Sequence, residues 1–249
     1  MSPRSVRSEL SDLLLDIGES WASHQTAAAL HKFDSFALRK PFHATVARGR
    51  NIQRAAAHIH TSSAMPLVDR GVVDGFRVTS PTRTIIDLAA STPPDALLTA
   101  IASAFRDGQS SEQYLHERIV ALRGSGRAGC RTLVNVLEGE EIRLGTPSWL
   151  ERRYLELIAS AGLPTPRTEV TLTRAGDHLV RVDCLFEGTD VVVELLGYRW
   201  HRTKEQMRRD AERLNELQLD GFRGFQFTYD QVVDDPASTV TTTRRALGL

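Results

Sequence analysis

Hydrophobic and polar positions near the C-terminal end of the chain follow the order strand, strand, helix, strand. Two β-branched runs at residues 180–186 and 191–195 flank a turn-forming segment at 187–190, and this arrangement predicts a β-hairpin. Apolar residues then recur at helical spacing over about 204–220, and residues 222–228 alternate between apolar and polar as a returning strand does. The order predicts a local unit of mixed helix and sheet.

The turn of this hairpin determines which side chains face each other. A two-residue loop at Gly188-Thr189, with glycine at the first central position as a type II′ turn favours, places Asp183 directly opposite Glu194. Opposite residues share a face with Cβ atoms roughly 5 Å apart, so two carboxylates there repel each other unless a cation such as Mg²⁺ offsets their charge. A longer turn would change the register and leave Glu194 as a solvated strand residue, and the pattern alone leaves both alternatives open.

A helix is predicted upstream of the hairpin, from a Thr146 cap with Pro147 in its first turn to Gly162. Glu151 lies in register with the apolar stripe of this helix. Because an unpaired carboxylate is costly to bury, two orientations are open for Glu151. It either turns towards the acids of the hairpin or lies on the border of the stripe and pairs with solvent or arginine.

The N-terminal half predicts a second, smaller α+β module. Residues 23–31 predict a short helix, and residues 43–47 predict a strand. Asp74-Gly75 is a hairpin turn signal, and Ser80-Pro81 begins a helix with a serine cap and a proline in the first turn.

Three helical patterns at 95–106, 111–123 and 128–137 predict a helical connector between the two halves. A hinge is predicted at 139–146, because glycine begins that segment. The sequence therefore predicts three regions, at residues 1–92, 93–145 and 146–249.

Composition narrows the class of protein. The chain has 249 residues, of which 41% are hydrophobic and 25% charged, with a formal net charge of zero. This is an ordinary globular composition with room for two small domains, and its neutrality counts mildly against tight nonspecific binding of DNA. Only Cys130 and Cys184 are present and no long apolar run occurs, so we expect a protein of the reducing cytoplasm without a membrane partner.

Several enzyme signatures are missing from the sequence. It contains no phosphate-binding glycine loop of the P-loop form, no nucleophile elbow and no paired-histidine helix of a zinc protease. His58 and His60 alternate as strand residues do. This spacing fits either a metal-binding pair or, as is more common, two side chains that face solvent.

Residues 146–233 resemble the PD-(D/E)XK nuclease superfamily, and specifically the branch related to very-short-patch-repair endonucleases, often called domain of unknown function 559. The matching residues are Pro147, Ser148, Glu151, Gly162, Leu163, Pro164, Pro166, Val182, Asp183, Val192, Val193, Glu194, Leu195, Gly197, Trp200, His201, Arg209, Asp210, Arg213, Gly221, Phe222 and Arg223. The resemblance implies a restriction-endonuclease-like α/β core, in which a mixed sheet is flanked by helices. It also implies that Asp183 and Glu194 are ligands of Mg²⁺ or Mn²⁺ and that the substrate is DNA.

The resemblance gives roles to other residues of this segment. His201 would orient the attacking water or protonate the leaving oxygen, since its pKa lies near neutrality. Trp200 would stack on a base or simply fill the core. Arg209 and Arg213, one helical turn apart, would contact phosphate or form an exposed ion-pair face.

Leu196 departs from the pattern of these nucleases. The branch usually has an acidic residue at this position and the wider superfamily a lysine, whereas leucine can neither bind a metal nor stabilise charge on a phosphate. In the predicted register Leu196 faces Arg181, whose guanidinium would replace the missing cation and contact DNA. Three alternatives stay open: an active endonuclease of the repair or defence type, a fold that binds DNA without cutting it, and a catalytically silent scaffold that binds protein.

Residues 20–92 resemble the AbiEi-type antitoxin region that often precedes such nuclease-like domains, notably at 24–31 and 79–90. Related chains usually begin with a winged helix, and too few residues precede Trp21 to build one. The resemblance implies regulation in a toxin–antitoxin system, with a second copy of the chain or a cognate toxin-like protein as partner.

Overall fold

The computed structural model of the chain describes residues 5–123, 128–144, 148–173, 179–197 and 204–249. Within them, contacts group the chain into two compact units, Met1–Val136 and Leu137–Leu249, which we call the N-terminal and C-terminal units. Each unit contains one mixed β-sheet with helices, so the α+β class predicted from the sequence is confirmed.

A five-stranded sheet organises the N-terminal unit, with the strand order β3-β2-β1-β5-β4. Its elements are α1 (Val6–Ile17), β1 (Trp21–Ala22), α2 (His24–Leu30), β2 (Phe42–Ala47), β3 (Ala57–Ser62), a 3-10 turn (Leu67–Asp69), β4 (Arg70–Val73), β5 (Phe76–Thr79), α3 (Pro81–Leu88), α4 (Pro94–Arg106), α5 (Glu112–Leu122) and the start of α6 (Ala128–Leu144). The pairs β2–β3 and β1–β5 are parallel, whereas β1–β2 and β4–β5 are antiparallel.

Local signals of the N-terminal unit predict its turns and caps correctly. Asp74 and Gly75 have φ angles of 49° and 84°, the two positive values that a tight hairpin turn of this kind requires. Ser80 accepts a hydrogen bond from the backbone N–H of Arg83 and caps α3. The apolar face of α1, including Leu10 and Leu14, packs into the core that the sheet covers.

The hinge predicted at 139–146 is wrong as far as residue 144, because α6 continues through Gly139 to Leu144. A glycine inside a helix costs about 1 kcal/mol relative to alanine, which a long helix tolerates. Residues 145–147 lie outside the described part of the chain.

A four-stranded sheet with the order β6-β7-β8-β9 organises the C-terminal unit. Its elements are the end of α6, then α7 (Trp149–Ser160), β6 (Arg167–Thr173), β7 (Leu179–Leu185), β8 (Val191–Leu196), α8 (Lys204–Leu219), β9 (Arg223–Thr228), α9 (Tyr229–Asp234) and α10 (Pro236–Ala246). The strands β6, β7 and β8 are antiparallel neighbours, and β9 returns parallel to β8 after α8. The predicted order of strand, strand, helix, strand is confirmed for β7 to β9.

The cap of α7 differs from the prediction. Ser148 accepts the backbone N–H of Glu151, and the helix begins at Trp149. The predicted cap, Thr146, and Pro147 lie outside the described residues. The spacing Ser148-x-x-Glu151 is itself a sequence signature of a helix start, so the correct cap was present in the pattern.

None of the helices that the structure describes has the length and apolar character needed to cross a membrane.

Candidate active site

The hairpin of β7 and β8 has the register that the sequence predicts. Cys184 pairs with Val193 and Leu185 with Val192, and the N–H of Phe186 donates to the carbonyl of Val191 over 3.1 Å. The loop is longer than predicted, because the closing pair encloses four residues rather than two. Gly188 provides the positive φ, 73°, that turns the chain without altering the register.

The two strands separate at Asp183, and its carboxylate lies in the gap. The described ladder of β7 and β8 ends at the pair of Cys184 and Val193, one step before Asp183 and Glu194. The backbone N–H of Leu195 donates to Asp183 Oδ2 over 2.7 Å, where a regular antiparallel ladder would use a backbone carbonyl of the neighbouring strand. The carboxylate of Asp183 is therefore held against β8 at Leu195, the residue that follows Glu194.

A break in the alternation of β7 explains how Asp183 reaches this position. Val182 and Leu185 both pack with Val192, although residues three apart in a regular strand point to opposite faces. The irregular position on the neighbouring strand is Glu169, which has a φ of 52° between the regular pairs of β6 and β7. The register of β6 with β7 is the same on either side of Glu169, so no extra residue is inserted there.

Glu194 is buried, with 6% of its surface exposed. Its Oε1 lies 2.6 Å from Nη2 of Arg213 on α8, and its Oε2 accepts from Nε2 of Gln226 on β9 over 3.2 Å. Arg213 also donates to the backbone carbonyl of Arg181. The charge of Glu194 is thus compensated by an arginine from the helix that follows the hairpin.

Glu151 completes a concentration of negative charge in the C-terminal unit. Burial raises the pKa of its carboxyl group, and the charge of Asp183 raises it further, although hydrogen bonds with Ser148 act in the opposite direction. Burial, followed by the charges of Asp183 and Glu151, also raises the pKa of the Cys184 thiol to about 12. Of the two orientations open for Glu151, the structure has the one that turns it towards Asp183. We call Glu151, Asp183 and Glu194 the carboxylate site.

Oxygen ligands of this kind suit a hard divalent cation, and burial of several carboxylates near one another favours one. The three carboxylates do not lie within 4.8 Å of one another as a group, since the only such metal-ligating group among the described residues consists of histidines in the N-terminal unit. Mg²⁺ usually keeps several of its waters and takes one or two protein carboxylates.

The remaining predicted residues have varied positions. The side chain of Arg181 is 65% exposed and pairs with Glu169 over 2.5 Å. His201, Trp200 and the side chain of Arg209 lie outside the described part of the chain.

The sequence pattern did not single out one further carboxylate beside this site, that of Glu138. A Cβ atom placed on Gly197, which directly follows β8, would lie 2.6 Å from Oε1 of Glu138 on α6. Glu138 thus lies against the end of the strand that carries Glu194. A glycine directly after the strand was the available signal, because a missing side chain permits this close approach.

No protein-family model matches the chain, and no curated protein resembles it closely enough to count as a relative. Among solved structures, the catalytic domain of the homing endonuclease I-Bth0305I is similar to it. The two share 19% sequence identity over 41% of this chain and 97% of that domain, with a TM-score of 0.30. A similarity at this level does not establish a shared fold.

Proposed function

We propose that the C-terminal unit is a Mg²⁺-dependent DNA endonuclease of the repair or defence type. The observation that carries the proposal is the placement of Asp183, which the backbone N–H of Leu195 holds in the gap between two separated strands. Buried Glu194 precedes Leu195 on β8, and Glu151 faces Asp183 from α7. The resemblance of residues 146–233 to PD-(D/E)XK nucleases supports the same assignment.

Asp183 and Glu194 are the residues that would hold the metal, Mg²⁺ or Mn²⁺. When bound, such an ion lowers the pKa of a water molecule and stabilises charge on the scissile phosphate. The chain itself supplies the orientation of the ligands: Leu195 fixes Asp183, while Gln226 and Arg213 fix Glu194.

Glu151 is the candidate to accept a proton from the attacking water. A carboxylate is a better general base when its pKa is raised towards the working pH, and the burial of Glu151 and the charge of Asp183 both act in that direction. The resemblance gives His201 the complementary role at the leaving oxygen.

Arg213 is the candidate contact to a DNA phosphate. Its side chain is 41% exposed even while it pairs with Glu194, so a phosphate can approach it from solvent. The planar guanidinium group binds phosphate with two parallel hydrogen bonds.

A second function is favoured by two observations in the same site. The ion pair of Arg213 and Glu194 already neutralises one proposed metal ligand, and Leu196 replaces the lysine or acid of related nucleases. Both are expected of a protein that keeps a nuclease fold without cleaving DNA. That protein would be an antitoxin-like regulator that binds DNA, with a second copy or a toxin-like protein as partner.

The experiment that separates the two uses the purified full chain with supercoiled plasmid, single-stranded DNA and mismatched duplex, in Mg²⁺ or Mn²⁺. We expect nicking that EDTA abolishes and that Asp183→Asn reduces by at least about a hundredfold, because a lost metal ligand removes several kcal/mol of transition-state stabilisation.

Asp190→Asn is the matched control. Asp190 lies in the loop of the same hairpin and makes an exposed ion pair with Arg223, so this variant should cleave like the wild type. If the wild type nicks no substrate in either metal, the endonuclease proposal is wrong. DNA binding that Asp183→Asn leaves unchanged would then support the regulator.

A further inference from the structure

Three histidines of the N-terminal unit meet in space although they are distant in sequence. His24 begins α2, His43 lies on β2 and His60 lies on β3. One ring nitrogen from each lies within 4.8 Å of the other two. We call these three residues the histidine group.

The parallel register of β2 and β3 brings two of the rings together. It pairs His43 with His58 and Thr45 with His60, so these four side chains lie on one face of the sheet. His43 Nδ1 is 3.0 Å from His60 Nε2. The third ring, His24, stacks on His60 with 3.6 Å between the ring centroids.

The electrostatic state of the three rings suits a metal ligand. Burial and the neighbouring imidazoles lower the pKa of His24 to about 3, and the pKa of His43 and of His60 to about 4. A neutral imidazole is the form that donates a lone pair to a metal.

The distances also suit such a metal. In a tetrahedral site with metal–nitrogen bonds of about 2.0–2.1 Å, neighbouring ligand nitrogens lie about 3.3 Å apart. The 3.0 Å between His43 Nδ1 and His60 Nε2 is close to this value. A hydrogen bond between these two rings explains that distance equally well, and the stacking of His24 on His60 brings a nitrogen of the third ring close to both.

A second shell of hydrogen bonds orients His24. The hydroxyl of Ser23 lies 3.0 Å from His24 Nδ1, which leaves Nε2 for a metal. Thr45 in turn donates to the hydroxyl of Ser23 over 2.9 Å. Metal-binding histidines are typically held by a hydrogen bond at the nitrogen that does not bind the metal.

A cavity of about 270 Å³ adjoins the group. His24 and His60 line it together with Arg48, Arg83 and Asp87. Arg83 is fixed there by ion pairs with Asp69 at 3.1 Å and Asp87 at 2.8 Å. Three protein ligands leave a fourth coordination position on the metal. This fourth position would open into the cavity.

We propose that His24, His43 and His60 bind one divalent transition-metal ion, Zn²⁺ in the first place, with an open coordination position that faces this cavity. Nitrogen donors select such ions over Mg²⁺, which prefers oxygen, so this site is separate in chemistry from the carboxylate site.

The test is a Zn²⁺ titration of the untagged full chain after a chelator has removed bound metal. We expect one equivalent of Zn²⁺ to bind the wild type, and His43→Gln or His60→Gln to weaken binding by at least about a hundredfold because each removes a ligand. Mg²⁺ in large excess should not compete.

His58→Gln is the matched control, since His58 is exposed on the same strand and does not belong to the group. It should bind Zn²⁺ like the wild type, and a loss there would contradict the proposed set of ligands. Ser23→Ala keeps all three rings and should weaken binding roughly tenfold to a hundredfold, so it tests the site even if a histidine variant fails to fold.

Co²⁺ in place of Zn²⁺ reports on the ligands directly. We expect the strong visible absorption of a four-coordinate ion, without the ultraviolet sulfur-to-cobalt band that Cys130, which also lines the cavity, would add. Absence of Zn²⁺ binding by the wild type, or binding that persists unchanged in His43→Gln and His60→Gln, would overturn the proposal.

Discussion

The two units hold buried charge in different ways. In the N-terminal unit, the guanidinium of Arg83 is 4% exposed and pairs with Asp69 and Asp87, while Asp69 also pairs with Arg118 over 2.8 Å. These charges balance within one network. In the C-terminal unit, the charge of Asp183 raises the pKa of Glu151, whereas Glu194 pairs with Arg213.

This difference separates the two cations proposed for the two units. The metal proposed for the histidine group is one that prefers nitrogen ligands. The carboxylate site carries negative charge that a hard cation would offset. The charges of the network around Arg83 balance one another, whereas the charges of Glu151 and Asp183 repel.

The largest expected effect on stability comes from breaking the balanced network. Asp69→Ala leaves Arg83 and Arg118 without a shared carboxylate, and removal of one partner from a buried pair costs about 3–5 kcal/mol. Urea unfolding of the full chain measures this loss. Asp190→Ala removes an ion pair whose two side chains are 53% and 47% exposed, and it should cost no more than about 1 kcal/mol. Equal losses in the two variants would contradict the comparison.

Much of this comparison could be read from local patterns in the sequence. The glycine turn and the β-branched runs predict the hairpin that carries Asp183 and Glu194, because turn chemistry and alternation are local properties. The insertion of Asp183 between the strands could not be predicted, since it depends on an irregular residue, Glu169, on another strand. The strand β6 and the helices α9 and α10 were missed for lack of a strong period.

The histidine group shows more clearly that local sequence patterns do not predict contacts between distant segments. Spacing along β3 draws attention to His58 and His60 but does not indicate which of the two binds a metal. The answer depends on the parallel pairing of β2 with β3 and on the position of α2 over that face. Parallel pairing joins distant segments, and no local pattern specifies its register.

The next effect in size is the response of the N-terminal unit to acid. The pKa values of His24, His43 and His60 are lower in the folded chain than their ordinary value of 6.5, so protonation favours the unfolded state. The stability from this group is fully present above pH 6.5 and is lost as the pH falls from there through about 4.

Unfolding of metal-free protein between pH 7 and pH 4 checks this direction, with the fluorescence of Trp21 as the probe after Trp149 and Trp200 are replaced by phenylalanine. The double variant His43→Gln/His60→Gln should lose less stability over this range than the wild type. If the stability of the wild type depends on pH in the same way as that of the double variant, these rings do not titrate as described.

The smallest expected effect on stability comes from removing a single hydrogen bond in the C-terminal unit. Tyr154 is fully buried, and its hydroxyl lies 3.1 Å from Oγ1 of Thr243, which itself donates to the carbonyl of Thr239. Tyr154→Phe should lower the free energy of unfolding by about 1 kcal/mol. Tyr114→Phe, at a side chain that is 37% exposed, should change it by less than about 0.5 kcal/mol, and a larger effect there would argue against burial as the cause.

The most direct test of the carboxylate site measures Mn²⁺ binding by electron paramagnetic resonance, without DNA and without dependence on the choice of substrate. We predict one Mn²⁺ bound by the wild type and by His43→Gln/His60→Gln, and its loss in Asp183→Asn/Glu194→Gln. Mn²⁺ bound equally well by the variant without the two acids would contradict the assignment of the metal to Asp183 and Glu194.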